Sequence, residues 1–268
     1  MSTIITPTPI TPGSLPQLSA ADFPDESKLI SDDGQPVDSI FAEKQMRLLT
    51  EPLYASWKGP QGDGRFVAMA NVGLYFTGED PLVPDALLSV DVTTPPGVYT
   101  KEVRSYLVWR FGKSPDVVIE IVSGKVGGED TDKLEKYSRW GIPYYVIFDP
   151  EHYLSDESLR IFAMMKGRYR KVEEPYLENV GLSLTLWKGQ FEHVDQLWLR
   201  WCDLEGDPIL TGAEKAESEY QRAESVNQKL QAEKQKLRVE QRKVEAEVQK
   251  VAKLEALLKE HGIDPGQL

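Results

Sequence analysis

Three side chains have the types and spacing to act together. Asp85 directly follows Pro84, Glu120 lies inside PDVVIEIVS at 115–123, and Lys133 falls in the segment after it. The run 115–123 reads as a β-strand. Val117, Val118, Ile119, Ile121 and Val122 spread over both its faces, the pattern of a central strand covered on each side. A carboxylate in mid-strand is costly to ionise unless a metal, a lysine or several donors meet it. Residues 131–140 read as a short helix that ends at Gly141, a suitable C-terminal left-handed residue. At about 100° per residue, Lys133 projects between the inward Tyr137 and Trp140, while Lys136 falls outside that stripe. Lys133 therefore points toward the sheet that holds Glu120.

Two carboxylates and one lysine suit hydrolysis assisted by a hard cation. Mg²⁺, with Mn²⁺ as the alternative, takes oxygen ligands and keeps several waters. The cation lowers the pKa of a bound water and stabilises charge on a phosphoryl oxygen. The lysine orients or deprotonates the water and adds positive charge at the transition state. Each residue also has a plain structural reading. Asp85 is then a turn residue, Glu120 and Lys133 are a structural ion pair, and Lys133 snorkels to solvent. Asp116 reads as a strand-start residue, and Ser123 has no histidine partner for nucleophilic chemistry. GKVGGED at 124–130 lacks the GK[ST] ending of a phosphate loop. Tyr144, Tyr145, Trp187, Trp198 and Trp201 read as packing residues.

The elements that must position these groups follow from the surrounding pattern. A helix is expected over 38–49, capped by Asp38. Strands are expected over 66–76 and 86–92, and 106–111 reads as a helix end or a short strand. Strand 116–122, helix 131–140 and strand 144–148 form a βαβ unit, which requires a parallel pair. Segments 159–165 and 169–173 flank Lys166-Gly167 as a hairpin, and 181–187 alternates as a further strand. The fold class is α/β, a mixed sheet flanked by helices. The chain divides into an extended or disordered leader (1–36), a folded domain (37–211), a helix (212–262) and a short tail (263–268).

The long helix carries apolar residues every seventh position: Ala216, Ala223, Leu230, Leu237, Val244, Val251 and Leu258. The companion positions include Asn227, Lys234, Gln241 and Glu255, so the seam is weak. The expected use is a two-stranded coiled coil over 213–258, hence a homodimer. The alternative is a lone helix held by i,i+4 charge pairs.

Composition narrows the remaining classes. From residue 212 onward there are 11 Lys+Arg and 11 Asp+Glu, so the net charge of −12 resides entirely in residues 1–211. That disfavours free-standing binding to nucleic acid through phosphate neutralisation, though not a local basic groove. One cysteine, Cys202, and three scattered histidines, His152, His193 and His261, disfavour a zinc site or a histidine triad. No apolar run is long enough for a membrane span, and the start of the chain lacks the pattern of a secretion signal. The expected location is the cytoplasm.

The order Pro84-Asp85, PDVVIEIVS, Lys133-x-x-x-Tyr137 and GIPYYVIFDP (141–150) resembles the restriction-endonuclease-like proteins of the Uma-two family, within the PD-(D/E)XK nuclease superfamily. The resemblance covers about 35–200, and a charged heptad tail also occurs in some members. It implies a restriction-endonuclease-like core acting on DNA. Asp85 would be the metal-binding aspartate, Glu120 the second ligand and the backbone carbonyl of Ile121 a third. The superfamily pattern places lysine two residues after the acid, where this chain has Val122. The resemblance assigns that role to Lys133 on the next helix. Glu43, on the first helix, is a possible accessory acid, with a solvent-facing glutamate as its alternative. The expected function is Mg²⁺-dependent endonucleolytic hydrolysis of DNA. A catalytically inactive nuclease-fold scaffold working through its coiled coil is the alternative. A third reading is a nuclease domain within a larger mobile-element or repair assembly that supplies the DNA affinity.

Overall fold

A computed structural model describes residues 39–97, 104–125, 127–260 and 262. The leader (1–36), Asp38, His261 and the tail (263–268) lie outside these residues. The chain divides after Gly212 into two compact units.

The first unit is built on a six-stranded sheet. Its strands are β1 (Phe66–Ala70), β3 (Ala86–Val90), β5 (Val117–Ile121), β6 (Tyr144–Phe148), β7 (Leu159–Met165) and β8 (Arg168–Val172). They lie side by side in that order, so β5 and β6 are central. Every residue of β3, β5 and β6 is buried, as expected for strands covered on both faces. β5 and β6 are parallel, joined through α3 (Asp132–Arg139), while all other neighbours in the sheet are antiparallel. Gly141 has φ 69°, the left-handed conformation that lets the chain leave α3 and enter β6.

The two faces of the sheet are covered differently. On one face α1 (Ile40–Ser56) contributes Ala42, Met46, Leu49 and Leu53 to a core with Val117, Ile119, Ile121, Val146 and Phe148. A second sheet, β9 (Tyr176–Leu177), β10 (Leu182–Phe191) and β11 (Val194–Cys202), closes the same core with Leu184, Leu199 and Trp201. On the other face Tyr137 and Trp140 pack on Val118, Val122, Tyr145 and Ile147. The short parallel pair β2 (Leu74–Tyr75) and β4 (Tyr106–Leu107) adds Leu74 and Tyr106 to that side.

Several boundaries differ from the sequence reading. Ser39 caps α1, its hydroxyl accepting from Ala42 N at 3.0 Å, in place of Asp38. The helix runs on to Ser56 through Pro52, because Leu53 is fully buried and tertiary packing outweighs the missing backbone donor. The expected strand 66–76 is two strands, interrupted where Asn71 takes φ 51°. Segment 106–111 is both things at once: β4 and then a single helical turn, α2 (Val108–Phe111). The strand expected over 181–187 continues to Phe191 and turns back as β11, which the sequence reading did not place.

The second unit is the helix α4 (Gly212–Glu260), 49 residues with none buried. Leu230, Leu237, Val244 and Val251, all on the seven-residue repeat, are 46–60% exposed. No helix among the described residues is long and apolar enough to cross a membrane.

Candidate active site

The site forms where the first turn of β3 meets the end of β5. Register pairs Ala86 with Ile119, so Asp85 comes in just beyond the ladder, opposite Glu120. Its Oδ2 accepts a hydrogen bond from Ile121 N at 2.6 Å. Its own carbonyl accepts from Asn71 N at 3.1 Å, which fixes the turn after Pro84. Asp85 is therefore tied to the strand that carries Glu120.

Glu120 projects from β5 toward α3, on the face opposite α1, and is 2% exposed. Both carboxylate oxygens are met. Lys133 Nζ donates to Oε2 at 2.9 Å and Tyr137 Oη to Oε1 at 2.7 Å. Lys133 and Tyr137 stand four residues apart, one helical turn, so a single face of α3 delivers both donors. The helical projection from sequence thus found the partner of Glu120. Sequence periodicity turns Tyr137 inward; the role of its hydroxyl emerges only in the fold, and its i,i+4 spacing from Lys133 is the signal that could have found it.

A third acid completes the group. Glu129, from the loop before α3, is 7% exposed, and its Oε1 accepts from Lys133 Nζ at 3.4 Å. Its Oε2 is buried with no hydrogen-bond partner among the described residues. The sequence reading missed Glu129, because a glutamate in a glycine-rich loop carries no signal of burial. The loop makes room for it: a Cβ on Gly127 would sit 1.9 Å from Glu129 Oε1. Tyr145 Oη, on the same face of β6, donates to the Glu129 carbonyl at 2.8 Å and pins the loop to the sheet.

The electrostatics follow from this crowding. Burial pushes the Glu120 carboxyl above the usual carboxylate range, against the opposing pull of Lys133 and Tyr137. Burial works downward on Lys133, but Glu120, Glu129 and Asp85 outweigh it and hold the ammonium above the ordinary lysine value. Burial, reinforced by the Glu120 charge, keeps the Tyr137 phenol protonated as a donor. Two carboxyl groups, Glu120 and Glu129, thus share one ammonium, within the field of Asp85. The donors are hard oxygens with a surplus of negative charge, a set that suits a divalent cation. Among the described residues no three His, Cys, Asp or Glu side chains are grouped to hold a metal ion by themselves. Two carboxylates plus water is the usual arrangement for Mg²⁺, which seldom uses an all-protein cage.

The other sequence candidates lie elsewhere. Glu43 sits on α1 and forms an ion pair with Arg47 Nε at 2.6 Å, with both side chains 46% exposed. Its place matches the solvent-facing alternative rather than a group gathered with Glu120. Asp116 Oδ2 accepts from Val90 N at 2.8 Å and Lys113 Nζ at 2.6 Å, joining β3 to the start of β5. On the Glu120 face, Ile147 and then Arg160 continue the same cross-strand row. Arg160 reaches Asp130 Oδ2 at 3.4 Å and leaves Nε and Nη2 buried without partners among the described residues.

No curated protein matches this chain in sequence. A family model does, over residues 17–189, which include β1 to β9, Asp85, Glu120 and the whole βαβ unit. With well over half its length matched, the chain belongs to the Uma2 family, described as putative restriction endonuclease.

Proposed function

We propose that this protein is a divalent-cation-dependent endonuclease that hydrolyses DNA phosphodiester bonds at the Asp85–Glu120–Lys133 site. The observation that carries the reading is the buried Glu120 carboxylate, met by Lys133 at 2.9 Å, beside an Asp85 tied to the same strand end. In an open α/β sheet, ligands bind beyond the carboxyl ends of parallel strands, and β5 ends here. Asp85, Glu120 and the Ile121 carbonyl would hold Mg²⁺ or Mn²⁺. Such an ion supplies an activated water and charge neutralisation at the phosphoryl oxygen.

The chain's own residues have separable tasks. Asp85 and Glu120 bring negative charge to the strand end and fix the ligand geometry. Lys133 stays protonated at neutral pH, because the surrounding carboxylates raise its pKa. As a cation it would orient water and stabilise developing negative charge. Tyr137 holds the second oxygen of Glu120 and so sets the rotamer of that side chain.

The test is calorimetric Mn²⁺ titration with nicking of supercoiled plasmid in Mg²⁺ or Mn²⁺. The wild type is expected to bind and to nick, and Asp85→Asn and Glu120→Gln to do neither. Equal titration by wild type and variants sinks the metal site.

The exposed seven-residue stripe of α4 supports a homodimer, which would offer two sites to the two strands of a duplex. Sedimentation should show the chain ending at Thr211 as a monomer and the full chain as a dimer. An unchanged association state removes the coiled coil from the proposal. The second reading, a scaffold without activity, is favoured by the acidic body, whose charge opposes a polyanion. No cleavage with any divalent metal, with tail-dependent dimers intact, would select it.

A further inference from the structure

We propose that Glu129 is a second seat for the Lys133 ammonium, taking it over when Glu120 turns to a divalent cation. The inference rests on the metal-site reading above and assigns a positioning role to a residue outside the Asp85–Glu120–Lys133 set.

Lys133 is already shared, at 2.9 Å from Glu120 and 3.4 Å from Glu129. Both oxygens of Glu120 are engaged, by Lys133 and Tyr137. A cation reaching Glu120 would repel the ammonium beside it. Without another acceptor, that ammonium would be stranded in a largely buried place, which is strongly unfavourable.

Glu129 answers that need. Its side chain is 9% exposed and its Oε2 is buried without a partner among the described residues. A buried acceptor left unmet is costly, and Lys133, already 3.4 Å from the other oxygen of the same carboxyl, is the donor in reach. The loop is built to hold this carboxylate still. Gly127 leaves the space that any Cβ would fill, and Gly128 takes φ +72°. The Gly128 carbonyl accepts from Thr131 N and Lys133 N, and Tyr145 anchors the Glu129 backbone. Lys133 is the movable partner, with a four-carbon stem and a side chain 25% exposed. A small shift of Nζ lengthens the bond to Glu120 and shortens the one to Glu129. The alternative, Glu129 as a direct ligand, is an outcome of the test below.

The experiment is a double-mutant cycle on the full chain, read as Mn²⁺ affinity by calorimetry, with metal-free melting to verify that each variant folds. Glu129→Gln should weaken Mn²⁺ binding about tenfold, the scale of losing a partner that orients a ligand. In a Lys133→Met background the same change should have no effect, because the ammonium it seats is gone. Equal loss in both backgrounds overturns the proposal in favour of direct ligation. No loss in either overturns it outright. Should Lys133→Met not fold, Glu129→Asp takes its place. Aspartate keeps the charge but is one methylene short, so weakening supports the seat and wild-type affinity overturns it. Failure of the underlying reading looks different: wild type fails to bind Mn²⁺, or Asp85→Asn binds as wild type does. If wild type binds, Asp85→Asn does not, and Glu129→Gln binds normally, only the seat is lost.

Discussion

The two faces of β5 come from one five-residue strand and could hardly differ more. Val117, Ile119 and Ile121 enter a core closed by α1 and the β9–β11 sheet, made of aliphatic and aromatic carbon. Val118, Glu120 and Val122 face α3, where a carboxylate, an ammonium and phenols are interleaved with the packing. Adjacent residues point to opposite faces, so one step along the chain separates stability from chemistry. The first face is mostly carbon, with the Gln45 amide and the Trp201 indole as matched polar groups within it. The second carries polar atoms that need matching, and among the described residues Glu129 Oε2 and two Arg160 nitrogens are left over.

The contrast can be broken by mutation, and the largest effect should come from the dry face. Phe148 is fully buried there and lies 6.3 Å from Phe41, centroid to centroid. Phe148→Ala should cost about 3–5 kcal/mol in urea unfolding. Mn²⁺ affinity of the folded protein should change far less, because the Phe148 side chain leaves β6 on the face opposite Glu120, although its backbone pairs with Ile121. A parallel loss of affinity would show that the faces are coupled. A smaller effect is expected from Tyr137→Phe, which strips Glu120 Oε1 of its donor. It should cost about 1–3 kcal/mol and also change Mn²⁺ affinity. A stability change without any metal effect would make Tyr137 a packing residue only.

The smallest effect sharpens the claim that carbon, not charge, holds the dry face. Glu192, in the β10–β11 turn, is clamped to Arg47 and, at 2.7 Å, to Lys44 on α1. Those cations, Arg47 foremost, hold its carboxyl below the ordinary value of 4.5. A lowered folded pKa gives stability that is present above the unfolded pKa and lost as pH falls through the folded one. Glu192→Gln should flatten the stability profile below pH 4.5 and change neutral-pH stability by no more than about 1 kcal/mol. A larger change at pH 7 would mean that charge fastens α1 to the sheet.

What could be read in advance divides along similar lines. The βαβ unit was legible because its strands are apolar on both faces and its helix has a clear inward stripe. Lys133 was legible for the same reason, since 3.6 residues per turn fixes direction once the stripe is known. β11 was not. The polar stretch from Lys188 to Gln196 gives no period-2 pattern, and the hairpin is held by distant partners. The Gln45 side chain bonds both Leu199 N and Leu199 O, and Trp201 Nε1 donates to Leu49 O. Gln45, two positions from the accessory-acid candidate Glu43 on the same helix, carried no sequence signal for this bridge to β11.

The sequence by itself determined the α/β class, the central strand, the family and the pairing of Glu120 with Lys133. Each of these depends on local periodicity or a contiguous motif. Only the tertiary structure decided that Asp85 meets Ile121 N, that Tyr137 completes Glu120, and that Glu129 turns inward under a glycine loop. Those contacts depend on strand register and on the room left between elements, and neither quantity is written in the neighbours of a residue.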